Sequence, residues 1–239
     1  MTNKYAVFDL EIIKDVTGVA DWWSVAPLGV SCGAVALSDS DNAIVWSGYP
    51  ELGNKGLNRV VTGLYDIAKG GYTLVGFNSL GFDFRLLAIE SDDADICEGL
   101  ASDHIDMFFH LFCMLGYAPG LDTLCVGMGT PRKTKGVDGA KAPELWAKGE
   151  RQAVIDYCVQ DVRATLALLL ATEDRGGVQW TSKSGKTVTC DFDRWLTVTQ
   201  ALSLPEPDNS WMKEPWKRDK FTGWMERYGK EKTRPNATE

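Results

Sequence analysis

Asp9 and Glu11 close the apolar run Tyr5-Ala-Val-Phe-Asp-Leu-Glu11, where acids are structurally awkward. Side chains two apart on a strand point the same way, so the two carboxylates share a face and Leu10 takes the other. Carboxylates that close repel, and a hard divalent cation is the simplest compensation. A polar strand end is the plain alternative for an isolated Asp-x-Glu. A third acid, Asp83, ends the run Gly76-Phe-Asn-Ser-Leu-Gly-Phe-Asp83, which leaves a strand and enters a helix. Capping explains Asp83 taken alone, because an acid in a first turn suits the helix dipole. Yet Asn78 and Asp83 fall where open α/β sheets place ligands, at the carboxyl ends of strands. Finally, Tyr157-Cys-Val-Gln-Asp161 sets a phenol and a carboxylate one turn apart on a helix. An acid bordering a core stripe needs a partner, ordinarily a salt bridge.

The elements that must position these groups follow from periodicity. Lys4–Glu11 reads as a central strand, nearly continuously apolar. Leu28–Leu37 and Ala43–Trp46 read as two strands joined through the turn formers Ser38-Asp-Ser-Asp-Asn42. Leu57–Ala68 has helical spacing and stops at Gly70-Gly71, as helix ends often do. Tyr72–Phe77 reads as a strand and Phe82–Ile89 as a helix. Residues 90–103, with Asp92, Asp93 and Asp95, are expected to form an exposed acidic connection. Met107–Leu115 and Leu121–Val126 read as helices, with Asp106 as an N-cap, and Thr130–Ala142 as a long basic loop. The clearest helix is Glu150–Ala171, with the stripe Ile155, Cys158/Val159, Val162, Leu166 and Leu169. Alternation on both sides of Ser184-Gly185 predicts a β-hairpin over 178–190, and the Pro- and Trp-rich end is expected to wrap the surface. The fold class is therefore α/β, with a sheet of mixed direction flanked by helices, a C-terminal hairpin and an extended tail.

Asp-x-Glu ending the first strand, Asn-x4-Asp after a later strand and Tyr-x3-Asp on the late helix occur in a characteristic order. Together they resemble the DEDD 3′–5′ exonucleases of the ribonuclease H-like superfamily. Tyr157 matches the DEDDy subclass; the histidine subclass has His five positions before the last acid, where this chain has Asp156. The resemblance spans about residues 4–170. Gly120-Leu-Asp-Thr-Leu124 and Ala142-Pro-Glu-Leu-Trp146 also resemble stand-alone relatives of the family-B polymerase proofreading domain. It implies an exonuclease domain over 1–175 and a hairpin with a basic, Trp-rich extension over 176–239.

The resemblance further implies phosphodiester hydrolysis with two Mg²⁺ or Mn²⁺ ions held by Asp9, Glu11, Asp83 and Asp161. Tyr157 would orient the attacking water together with Glu11, and a nucleoside 5′-monophosphate would leave a 3′ end. Oxygen-only ligands favour Mg²⁺ or Mn²⁺ over zinc. Asn78, Phe82, Arg132, Lys133 and Lys135 are candidate substrate contacts, as are Lys213, Lys217, Arg218 and Lys220. Trp22, Trp23, Trp211, Trp216 and Trp224 are candidates for stacking on unpaired bases. Solvated basic loops and core tryptophans are the plain alternatives for these residues. The expected partner is a single-stranded 3′ end, DNA favoured over RNA, with any polymerase or replication partner unidentified. An RNA-trimming exoribonuclease with the same site and a non-catalytic nucleic-acid-binding scaffold are the competing readings.

Composition narrows the rest. The 239 residues are 44% hydrophobic and 24% charged, which is globular rather than disordered. Apolar runs break within about ten residues, too short for a membrane span. The start of the chain does not read as a signal peptide. Six dispersed cysteines suggest reduced core thiols and an intracellular setting. A net charge of −8 disfavours sequence-independent wrapping of a duplex. The charge is uneven, because residues 211–235 hold eight Lys/Arg against four Asp/Glu. Ser184-Gly-Lys-Thr187 imitates the end of a phosphate-binding loop, but Trp180 stands where the leading glycine is required. Cys and His spacing supports no zinc site, and two histidines, His104 and His110, are few for a Ser-His-acid hydrolase.

Overall fold

Strands β1 (Tyr5–Ile12), β2 (Val30–Leu37), β3 (Ile44–Ser47), β4 (Thr73–Gly76) and β5 (Ile105–Asp106) form a sheet ordered β3-β2-β1-β4-β5. The computed structural model describes residues 3–132 and 139–225 of the chain. Neighbours β1, β2 and β3 run antiparallel, whereas β4 pairs parallel to β1 and β5 parallel to β4. β1 is therefore central and covered on both faces, which accounts for its unbroken apolar start.

The period of two sorts its side chains into two cores. Ala6, Phe8, Leu10 and Ile12 face helices α1 (Gly53–Lys69), α2 (Asp83–Glu90) and α3 (Ala94–Asp103). Tyr5 and Val7 face the opposite layer, which is built from α5 (Leu121–Met128), α6 (Ala142–Ala147) and α7 (Arg151–Arg175). Helix α4 (Met107–Leu115) serves both layers, Phe109 on one side and Leu111 on the other. Asp9 and Glu11 continue the Tyr5/Val7 face, so the strand aims both acids at the α7 layer.

Three expectations need correction. Residues 90–103 are not an exposed connection but contain α3, in which Cys97 and Ala101 are fully buried. Asp92, Asp93 and Asp95 cluster at its start and hide this four-residue apolar spacing in an acidic composition. The buried face of α7 is Val154, Tyr157/Cys158, Asp161/Val162, Thr165 and Leu168/Leu169. That face lies to one side of the expected stripe, so Tyr157 and Asp161 sit within it rather than on its border. The Pro- and Trp-rich end does more than wrap the surface. After short helices α8 (Val198–Leu202) and α9 (Asp219–Thr222), Phe221 and Met225 enter the first core, and residues 226–239 of this end lie outside the described residues.

The hairpin is present as β6 (Gly177–Thr181) and β7 (Thr187–Asp191). Ser182 N donates to Lys186 O at 2.8 Å, and Gly185 takes φ +79° in the turn, so Ser184-Gly-Lys-Thr187 belongs to a hairpin and not a phosphate loop. The six cysteines are buried thiols. Among the described residues, no helix is long and apolar enough to cross a membrane.

Candidate active site

A cavity of about 310 Å³ opens where the end of β1 meets α7, lined by Asp9, Glu11, Asn78, Phe82, Tyr157 and Asp161 among others. Asp9 is half-buried, whereas Glu11, Tyr157 and Asp161 are buried. Tyr157 and Asp161 lie one helical turn apart and interact through a side-chain hydrogen bond. Burial pushes the Tyr157 hydroxyl well above the usual phenol range, and the negative charges of Asp161, Glu11 and Asp9 push it further. The phenol is thus held as a proton donor at any physiological pH.

Cys158, between these two residues, is a member of the site that sequence reasoning assigned only to the core. Its Sγ donates to Asp9 O at 3.4 Å. A hydrogen bond with Cys32, then burial and the nearby acids, hold this group well above the ordinary thiol range. Ligand atoms of Asp9, Glu11 and Cys158 lie within 4.8 Å of one another. The thiol stays protonated and buttresses β1; the oxygens of Asp9 and Glu11 are the groups that suit a hard cation. Its position within Tyr-x3-Asp was the available sequence signal.

Asp83 starts α2 and is buried, with its Oδ1 accepting from Leu10 N at 2.9 Å. Burial raises its proton affinity well above the usual carboxylate range, and the charge of Asp9 adds to this. The Leu10 N–H acts in the opposite direction. Asp83 is not among the residues that line the cavity wall. Carboxylates clustered at such electrostatic cost are a donor set that fits divalent cations.

The loop from Phe77 to Phe82 is held from behind by Asp106. Its carboxylate caps α4 through Phe109 N at 3.0 Å, as expected of an N-cap. It also accepts from Asn78 N at 2.9 Å and Leu80 N at 2.8 Å, a role the sequence did not show. Burial moves Asp106 up to about 6, against those N–H groups. Asn78 adopts φ +67°, a left-handed conformation that asparagine tolerates better than most residues. Ser79 Oγ lies 2.8 Å from His104 Nε2, while His104 Nδ1 lies 2.7 Å from Ala101 O. A carbonyl only accepts, so Nδ1 carries the hydrogen and Nε2 accepts from Ser79.

Residues 94–189, which include Tyr157 and Asp161, match a family model described as a predicted 3′–5′ exonuclease related to the exonuclease domain of PolB. Among solved structures, the family B DNA polymerase from the hyperthermophilic archaeon Pyrobaculum calidifontis is similar, with a TM-score of 0.53 and 19% identity. The resemblance is to a ribonuclease H-like 3′–5′ exonuclease domain. The structural match covers 72% of this chain and 25% of the polymerase, so the chain spans about a quarter of that polymerase's length. No curated protein matches the sequence. The structural match shows the fold, and the family model supports exonuclease activity.

The remaining candidates of this exonuclease-like chain are dispersed. Phe82 is on the cavity wall, edge-on to Trp22 at 5.8 Å and tilted to Trp23 at 6.1 Å between ring centroids. Arg132 is not on that wall and grips Asp122 through two hydrogen bonds at 3.1 and 2.7 Å. Lys133 and Lys135 lie outside the described residues. Arg218 donates to Leu202 O and Pro205 O, each at 2.9 Å, which ties down the C-terminal segment. Trp224 Nε1 donates to Leu80 O at 2.9 Å, so the same segment is fastened to the site loop. Trp211 packs edge-on against Tyr117 and is not on the cavity wall.

Proposed function

We propose that this chain is a metal-dependent 3′–5′ exonuclease that releases nucleoside 5′-monophosphates from single-stranded DNA. The observation that carries the reading is the convergence of Asp9, Glu11, Tyr157 and Asp161, drawn from β1 and α7, on one cavity. Asp9, Glu11, Asp83 and Asp161 would hold two Mg²⁺ or Mn²⁺ ions, which supply activation of water and neutralisation of charge on the leaving oxygen.

The protein's own groups then have distinct tasks. The Tyr157 hydroxyl keeps its proton and, by exchanging its bond to Asp161 for one to the attacking water, would orient that water, with Glu11 as the acceptor on the other side. Asp83 registers α2 against β1 through Leu10 N and brings its charge to the edge of the cluster. Asn78 and Phe82 form the wall against which the terminal nucleotide rests. Arg132, Lys133 and Lys135 are assigned to the phosphate backbone; for Arg132 this requires exchange of its exposed pair with Asp122, which costs little. The preference for DNA is supported by the likeness to a DNA polymerase.

The test is digestion of 5′-labelled single-stranded DNA and RNA of equal sequence with Mg²⁺ or Mn²⁺. A ladder of progressively shortened DNA, absent with Asp9→Ala and Asp161→Ala, is the expected result. Shortening of RNA alone would replace the DNA assignment with the exoribonuclease one. Neither strand shortened would leave the scaffold reading.

A further inference from the structure

The loop of residues 77–82 carries Asn78 and Phe82 onto the wall of the acidic cavity before Asp83 opens α2. Asn78 holds a φ of +67°, in the left-handed region. A residue other than glycine stays there only where its surroundings over-determine it. Asn78 N and Leu80 N both donate to Asp106, at 2.9 and 2.8 Å, which grips one side of the loop's backbone. The grip on the other side comes from the far end of the chain. Trp224, 144 residues beyond Leu80, donates its indole N–H to Leu80 O at 2.9 Å. Leu80 thus has both its amide and its carbonyl fixed by side chains from distant segments.

Gly81 shows how closely the C-terminal segment follows this loop. A Cβ on Gly81 would meet Phe221 Cδ1 at 3.1 Å and Asn78 Oδ1 at 3.2 Å. The Phe221 ring and the Asn78 amide therefore close on the same bare face of the glycine. Phe221 is itself anchored in the first core, with its ring centroid 4.9 Å from that of Phe112 and 5.5 Å from that of Phe109. Arg218 secures the approach to α9 through Leu202 O and Pro205 O. Neither Trp224 nor Phe221 lines the acidic cavity, so the segment reaches the cavity only through what it holds. Indole is a donor only, which makes Leu80 O dependent on that one N–H from Trp224.

We propose that Trp224 is a positioning residue for the reaction: through Leu80 O it keeps Asn78 in the left-handed conformation that presents its amide to the terminal nucleotide. The proposal rests on the exonuclease reading and deepens it. The end of the chain becomes part of the site although it supplies no group to the acidic cluster.

The test is a double-mutant cycle on 5′-labelled single-stranded DNA with Mn²⁺. Trp224→Phe keeps a ring and removes the N–H. Asn78→Gly removes the amide and accepts a left-handed backbone without strain. Leaving the Leu80 carbonyl unbonded predicts a kcat/KM for Trp224→Phe roughly five- to fiftyfold below wild type. On the Asn78→Gly background the same change should cost less than about twofold, because no amide remains to be placed. Losses that simply multiply are the mark of a merely structural role and would overturn the proposal, as would a Trp224→Phe enzyme as fast as wild type. β-Benzothienylalanine in place of Trp224 has the shape of the indole without its N–H. It gives the same comparison should Trp224→Phe fold poorly.

The Asn78 side-chain amide signals of ¹⁵N-labelled protein, assigned by their loss in Asn78→Gly, provide a readout that needs no activity. They should move when the Trp224 N–H is removed. If the wild type shortens no strand, the nuclease reading fails by itself. These signals then decide the coupling: a shift upholds it, and unmoved signals remove it.

Discussion

The carboxylate of Asp83 is locked onto the backbone N–H of Leu10 at 2.9 Å, the residue that separates Asp9 from Glu11. The start of α2 and the end of β1 are therefore registered by a buried hydrogen bond rather than by apolar contact alone. The arrangement brings a third acid close enough for Asp9 to raise its proton affinity. Burial of a third acid beside Asp9 costs stability, and the proposed cation site gives that cost measurable consequences.

Saturating Mn²⁺ should raise the melting temperature of the wild type. A ligand at a hundred times its dissociation constant stabilises by about 2.7 kcal/mol. Asp83→Asn keeps an oxygen for Leu10 N and removes the strained charge. It should therefore raise metal-free stability by about 1 kcal/mol while losing most of the Mn²⁺ effect. Thermal melts with and without Mn²⁺ check both parts; a less stable metal-free variant would contradict the strain.

Tyr157→Phe should lower kcat by about 10²-fold and leave KM nearly unchanged, because the hydroxyl acts on the water rather than the strand. The folded protein holds this phenol above its ordinary value near 10. The donor therefore persists into alkaline solution, and the kcat ratio of wild type to variant should stay constant between pH 7 and 9.5. A ratio that collapses toward one as pH rises would show that the phenol ionises in that range.

His104 is buried, and that burial lowers it to about 3, so it is neutral in the folded protein. The unfolded chain takes up a proton near pH 6.5. The folded value is thus the lower one, and stability present above pH 6.5 is lost as pH falls toward 3. Between pH 7 and 5 the loss from this residue is about 2 kcal/mol. Urea unfolding of wild type and His104→Gln should show the wild type losing that much relative to the variant. An equal gap at both pH values would refute the assignment.

Gly127 sits where α5 meets β6, and a Cβ there would lie 2.2 Å from Gln179 O and 2.5 Å from Trp180 Cα. Backbone cannot swing aside as a side chain can. Gly127→Ala should therefore cost about 1–3 kcal/mol, as overpacking does. The hairpin is outside the acidic cavity, so kcat of the folded fraction should hold. Denaturant unfolding within about 0.5 kcal/mol of wild type would show that the hairpin can move away.

That Asp9 goes with Glu11 and Tyr157 with Asp161 could be read from the chain because strand and helix periods set local direction, whereas Asn78 and Phe82, on the loop after β4, were candidates from the strand-end position and the resemblance. Period two places Asp9 with Glu11, and four residues place Tyr157 with Asp161. The same logic located β1, β2, α1, α7 and the hairpin. It missed α3, where acidic composition covered a short apolar spacing, and it displaced the buried stripe of α7. Only tertiary structure decided that Asp106 clamps the site loop, that Cys158 buttresses Asp9, that His104 accepts from Ser79, and that Trp224 holds Leu80. Each of these depends on which distant segments the two cores bring together. A local pattern states which way a side chain points; it carries no information about what arrives opposite.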